Sequence, residues 1–279
     1  MAGYLPKPPF PQLNKGLAGS KYIVGAWPMP ERYIGTLYDV SGRGHHATIQ
    51  NGSPVMGDSP YGKALTNTTS DTMVAPNSTD LSFTDGSGND TKCTILSVFK
   101  LTSMTAGSGI ILKDGFTAPR EWNNWVWTTG YFAFTLYGGT STNFIATQTD
   151  AGTITTNKWY TVISTYDGSE SNGGMKIYVN GVRADTSPSS GGSYTGTVNA
   201  ARDLGLGSYA DGNGSIAGQL ANAVVWKGRE LRGSEIRQLT ADPFLMYRKK
   251  AYGVAKAPAA PTGHGNLLGT QRNRLVYGG

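Results

Sequence analysis

Residues 158–182, KWYTVISTYDGSESNGGMKIYVNGV, decide the fold class. In the second half, Met175, Ile177 and Val179 alternate with Lys176, Tyr178 and Asn180, the pattern of a strand with one apolar and one polar face. Asn180-Gly181 closes that strand, because both residues tolerate the positive φ that a type I′ hairpin turn needs twice. In the first half, Trp159, Val162 and Thr165 interleave with Tyr160, Ile163 and Tyr166, which predicts a strand covered on both faces. Asp167-Gly168 begins the turn between the two. Working outward, strand-like runs recur at 93–101, 110–113, 131–137, 203–207 and 219–227, and only 231–240 carries a helical period. Together with 39 glycines and only 15% charged residues, this predicts an all-β chain, an antiparallel sandwich of about twelve strands.

The net charge of +6 is unevenly placed. Residues 1–22 hold Lys7, Lys15 and Lys21, and residues 248–279 hold Arg248, Lys249, Lys250, Lys256, Arg272 and Arg274, with no acid in either segment. The stretch between them is therefore mildly acidic, at −3. The expected organisation is an extended basic arm over 1–21, a sandwich over 22–247 and a second basic arm over 248–279. PKPPFPQ in the first arm cannot enter a helix and favours an extended chain. Both arms carry isolated apolar residues that a soluble linker would not need: Tyr4, Leu5 and Phe10 in one, and Tyr252, Leu267, Leu268 and Tyr277 in the other. These read as assembly anchors that lace onto neighbouring subunits. Nine dispersed charges without an Arg/Lys block or interleaved aromatics make nucleic acid the less expected partner.

Cys93 is the single cysteine, so no intrachain disulfide forms, and it reads as a small buried side chain. The N-terminus has no apolar signal-peptide core, and no run is long enough to span a membrane. For catalysis, no two of the 18 acids lie two residues apart, so no single strand presents the carboxylate pair of a retaining glycosidase. The three histidines and Cys93 form no nucleophile–base arrangement, and the glycine-rich turns do not end in a phosphate-binding Gly-Lys-Ser/Thr. The expectation is a protein that is not an enzyme.

Five motifs in order resemble laminin G-like (concanavalin A-like) jelly rolls of the phage-encoded type. They are Tyr38-Asp39-Val40-Ser41-Gly42-Arg43-Gly44-His45-His46-Ala47-Thr48, with Ala47 where that family usually has Gly; the 158–182 hairpin; Leu204-Gly205-Leu206-Gly207-Ser208; Ile216-Ala217-Gly218-Gln219-Leu220; and the Leu231–Leu239 segment running into Asp242-Pro243-Phe244. The resemblance covers roughly 22–247 and implies a concanavalin A-like jelly roll with a structural role for His45 and His46.

Such domains often bind calcium at the rim. Asp85, Asn89 and Asp90 in TDGSGND, or Asp211 and Asn213 in ADGNGS, supply oxygens at suitable spacing, and the alternative is that they close tight turns. The aromatic cluster in REWNNWVWTTGY also has two readings. Trp122 and Tyr131 with the amides of Asn123 and Asn124 would suit stacking on sugars, or the cluster packs in the core or against a subunit. Trp125 and Trp127 share one face and are expected to be core.

The resemblance implies a structural subunit of a bacteriophage virion, such as a head decoration or fibre. It would be made in the host cytoplasm, form a homo-oligomer, contact other virion proteins through its arms and hold a host surface glycan. A stand-alone lectin and, behind it, a glycoside hydrolase are the alternatives.

Overall fold

The computed structural model describes residues 6–8, 11–17, 19–31, 35–104, 106–115 and 117–248. The deciding hairpin forms as its sequence demands: Val162–Tyr166 pairs with Met175–Val179, and Asn180 (φ 49°) and Gly181 (φ 83°) turn the chain into Val182–Arg183. The covered strand Trp159–Tyr166 pairs along its other edge with Cys93–Leu101, which pairs in turn with Gly218–Lys227. That last strand divides its far edge. Gly218–Leu220 meets Gly62–Asn67, which continues to Val55–Ser59, while Asn222–Trp226 meets Ile23–Pro28. These eight strands are one sheet.

A second sheet of nine strands runs in the order Ser189–Gly191, Phe144–Gln148, Phe132–Gly139, Arg120–Val126, Ser108–Lys113, Leu204–Leu206, Thr72–Ala75, Ala47–Asn51, Thr36–Leu37. The strand pairings among the described residues are antiparallel, and the two sheets enclose a core that includes Trp27, Phe83, Phe99, Trp122, Phe132, Phe134 and Tyr166. The fold is therefore the antiparallel sandwich expected from the sequence, with seventeen strands among the described residues. The additional strands are short or only partly apolar, such as Ala47–Asn51 and Val55–Ser59, and lack a clear period-2 signal.

A second apolar cluster covers the outer face of the eight-stranded sheet. Leu96, Val98, Ile163 and Val224 pack there under Ile236 and Leu239 of the helix Gly233–Ala241 and under Phe244, Met246 and Tyr247. This explains why Trp159–Tyr166 is apolar on both sides. The opening motif is a hydrogen-bond hub: the Asp39 carboxylate accepts the N–H groups of Ala26, Ser41 and His45 at 2.8–3.0 Å and the Ser41 hydroxyl at 2.7 Å. Its backbone N–H donates to His46 Nδ1, and the His45 carbonyl accepts Trp27 Nε1–H.

The described part of the N-terminal arm lies on the body, which corrects the expectation of an arm leaving the sandwich throughout 1–21. Leu13 and Leu17 pack on the second cluster, Asn14 N–H donates to the Met246 carbonyl at 2.8 Å, and Lys7 N–H donates to the Tyr61 carbonyl at 3.0 Å. The cause is local: chain 244–248 offers free carbonyls beside an apolar surface, and the arm satisfies both. Tyr4, Leu5, Phe10, Tyr252, Leu267, Leu268 and Tyr277, the expected anchors, lie outside the described residues. No helix among the described residues is long and apolar enough to cross a membrane.

At one end of the sandwich Lys113 and Glu121 form a fully buried ion pair at 2.5 Å. Lys113 Nζ also donates to Ser82 Oγ and the Ala200 carbonyl, while Glu121 Oε1 has no hydrogen-bond partner among the described residues. Burial pushes the Glu121 carboxyl up from 4.5 to about 7, with the Lys113 ammonium opposing only part of the shift. Between pH 4.5 and 7 the folded chain thus holds a proton that the unfolded chain has released, so stability falls as pH rises through that window. Glu121→Gln is expected to lower stability overall but to flatten this slope. Urea unfolding at pH 5, 6, 7 and 8 checks it, and equal slopes in both proteins would refute it.

Candidate functional site

Strand pleating builds a groove on the outer face of the nine-stranded sheet. In Phe132–Gly139 the side chains of Phe132, Phe134 and Leu136 enter the core, which turns Ala133, Thr135 and Tyr137 outward. The register sets their neighbours: Ala133 lies between Trp125 and Gln148, Thr135 between Asn123 and Ala146, and Tyr137 beside Phe144. Ala133, Thr135 and Ala146 are small, so a trough of about 570 Å³ stays open between larger side chains.

Aromatic rings line both ends of the trough. Tyr131 approaches Trp127 at 6.2 Å between ring centroids, Trp127 approaches Trp125 at 5.8 Å, and Trp125 approaches Tyr209 at 5.1 Å. Tyr137 and Phe144 form a second pair at 6.2 Å. Trp125 can lie where it does because Gly107 and Gly214 border it: a Cβ on either would come within 2.1 or 2.7 Å of the indole. Trp127 is 44% exposed at the mouth.

Arg120 joins the two groups of rings. Its guanidinium sits over the Tyr137 ring at 4.1 Å and reaches the Tyr209 hydroxyl at 3.5 Å. Nε donates to Asp114 Oδ1 at 2.9 Å and Nη2 to Asp114 Oδ2 at 2.6 Å. Burial alone would lower the Arg120 pKa, but Asp114 overrides it and holds the pKa above its ordinary value, so the group stays charged. Asp114 is fully buried and also accepts the Gly115 N–H and Asn123 Nδ2–H at 2.8 Å each. Burial raises the pKa of the Tyr137 and Tyr209 phenols, keeping both neutral.

The expected sugar platform is only partly assembled here. Tyr131 lines the groove, and so does Asn123, though its amide is spent on Asp114 and the Tyr137 hydroxyl. Trp122 and Asn124 are corrected: both are fully buried on the core side. Trp122 stacks on Phe83 at 4.9 Å and donates Nε1–H to the Leu81 carbonyl, and Asn124 accepts the Ser164 hydroxyl. Trp125 and Trp127 do share a face, but it is the groove face and not the core. Sequence reasoning missed Arg120, Tyr137, Phe144 and Tyr209. The alternation of Tyr131, Ala133, Thr135 and Tyr137 against three core residues was the available signal for Tyr137, whereas nothing local marks Tyr209.

The expected calcium ligands do not converge. Asp85 accepts the N–H groups of Ser87 and Asn89 and the Asn89 amide, which closes its own turn. Asp90 points elsewhere, accepting the hydroxyls of Tyr166 and Tyr194 and the Thr197 N–H at 2.6–2.8 Å. Asp211 Oδ1 accepts the Asn213 N–H in the same turn-closing way. Among the described residues no three His, Cys, Asp or Glu side chains stand close enough to hold a metal ion. Cys93 is fully buried, and burial pushes its thiol pKa well up.

A two-sheet sandwich with an aromatic trough on one outer face is a lectin-like sandwich. The chain belongs to the laminin G-type family described as the concanavalin A-like lectin/glucanases superfamily, whose signature matches residues 68–237. No curated protein matches the sequence. Solved structures that share the fold include the binding domain of Paraclostridial Mosquitocidal Protein 1, at 12% identity and TM-score 0.61 over 80% of this chain and 52% of that one. The binding domain of Botulinum Neurotoxin DC in complex with SialylT matches at 14% identity and TM-score 0.55, over 80% and 52%. Trypanosoma rangeli sialidase in complex with the inhibitor DANA matches at 16% identity and TM-score 0.53, over 81% and 34%. The chain thus spans about half or less of the length of these proteins.

Proposed function

We propose that this protein is a non-catalytic glycan-binding sandwich displayed on a bacteriophage particle as a head decoration, fibre or related surface subunit. The observation that carries the binding half is the trough itself: rings, amides and hydroxyls line it, and no carboxylate does among the described residues. Sugar recognition needs flat apolar surfaces beside hydroxyl-matching polar groups. Most families of glycoside hydrolases instead use two carboxyl groups facing the bond to be broken. The structural neighbour in complex with SialylT supports a glycan as the general class of ligand.

The virion half rests on the resemblance of the five sequence motifs to phage-encoded domains and on the basic, anchor-bearing arms. The geometry is compatible with anchoring from behind. Pro6 and Arg248, the first and last described residues, meet through Arg248 Nη2–H donated to the Pro6 carbonyl at 2.9 Å. They lie beside the cluster on the outer face of the eight-stranded sheet, opposite the trough, so attachment and display would not compete.

Two measurements test the proposal. Wild-type protein on a glycan array, followed by a reducing-end assay on every glycan bound, is expected to give binding without cleavage. Release of reducing ends that a single Asp or Glu substitution abolishes would overturn the non-catalytic reading. Deleting 250–279 is expected to leave the melting temperature unchanged and abolish incorporation into the particle; normal incorporation would sink the anchoring role. Deleting 1–20, by contrast, is expected to lower stability, because it removes the Lys7, Leu13, Asn14 and Leu17 contacts.

A further inference from the structure

We infer that the trough selects uncharged oligosaccharides of two or more sugar units, and that the buried Asp114 sets this selectivity by neutralising Arg120. The inference rests on the glycan-binding reading above and specifies its ligand class.

Arg120 is the only charged residue among the described residues lining the trough. Left alone, a guanidinium in a partly dehydrated groove would be a strong site for a carboxylate or sulfate, because it forms paired charge-assisted hydrogen bonds with planar anions. Here that geometry is already occupied from within. Asp114 takes Nε–H and Nη2–H in the paired arrangement, and Tyr137 covers one face of the guanidinium. Asp114 is held in turn by the Gly115 N–H and the Asn123 amide, so its two oxygens receive four donor groups and it is not free to swing away.

An acidic sugar entering the trough would lose its hydration beside an ion pair whose net charge is zero. Its own charge would face Asp114 just behind the guanidinium, with no second cation among the described residues that line the trough to offset either cost. A neutral sugar meets neither penalty. The amides of Gln148 and Asn213 and the hydroxyls of Thr135, Ser141 and Ser189 can exchange hydrogen bonds with its hydroxyls. The length of the ligand follows from the rings. Trp125, Trp127 and Tyr209 form one group and Tyr137 with Phe144 another, and Arg120 touches both Tyr209 and Tyr137 between them. Two separated stacking surfaces match two or more sugar rings better than one.

The test compares each neutral ligand with an acidic counterpart, using the full chain and calorimetric titration. One pair is lacto-N-neotetraose and its sialylated form; the other is fully methyl-esterified pentagalacturonate and the free pentagalacturonate. Mannohexaose and cellohexaose extend the neutral set. The expected result is binding of at least one neutral oligosaccharide, at least tenfold weaker binding of its acidic counterpart, and affinity that is unchanged between 50 and 500 mM NaCl. Asp114→Asn, which frees the Arg120 charge, is expected to shift the ratio at least tenfold toward the acidic ligand. The salt series on the wild type keeps the inference testable if that variant does not fold. Preferential binding of the acidic ligand by the wild type, or a tenfold loss of affinity with salt, overturns the inference while leaving glycan binding intact. A folded Asp114→Asn protein with unchanged preference overturns the role of Asp114. If no ligand of either class binds, the glycan reading itself falls.

Discussion

Trp122→Ala is expected to lower the stability of the sandwich by about 3–5 kcal/mol, the scale of emptying a buried tryptophan site. The side chain is fully buried, stacks on Phe83 and gives its one hydrogen bond to the Leu81 carbonyl. Truncation therefore opens a cavity between the sheets and leaves a buried carbonyl without that donor. For a domain of this size the melting temperature should fall by on the order of 10 °C. Glycan affinity measured well below the new midpoint should be unchanged, because Trp122 faces away from the trough. A stable Trp122→Ala protein with weakened glycan binding would mean that the two faces of this strand have been assigned the wrong way round.

The mirror-image result is expected for Trp125→Ala. Its ring lies at the centre of the larger aromatic group, against Trp127 and Tyr209, and borders the open trough. Losing it removes a stacking surface and should weaken binding by roughly 1–3 kcal/mol, about a 5- to 150-fold loss. Because the side chain is only partly buried, the stability cost should stay below about 2 kcal/mol. Titration of the bound glycan and thermal melts of both variants separate the cases. If Trp125→Ala binds as wild type, the trough is not the glycan site.

Much of the fold could be read from local pattern. Asn180-Gly181 adopts the double positive φ that its composition calls for, the apolar runs at 93–101 and 219–227 become the two central strands of one sheet, and 231–240 closes as a helix. These features rest on interactions between near neighbours in sequence, so the residues themselves carry the information. The Asp39 motif is legible for the same reason: most of its bonds close within seven residues.

Local pattern alone established an all-β antiparallel sandwich with basic, proline-bearing ends, and it grouped Trp125 with Trp127 against Trp122. It could not say which of those two faces was the inside. A period of two fixes the relative sides of a strand, but the absolute side depends on what covers each face. That was decided by Leu81 and Phe83 arriving over Trp122 from one direction, and by Tyr209 and Gly214 arriving beside Trp125 from another, at separations of about forty and ninety residues. The flanking Asn123 and Asn124 concealed the answer, since one polar amide supports the trough and its neighbour is held inside by Ser164. The trough, its Asp114–Arg120 pair and the docking of Lys7, Leu13, Asn14 and Leu17 on the back of the sandwich are all products of such long-range contacts. Only the tertiary structure could decide them, because each depends on surfaces that exist only once the sheets have formed.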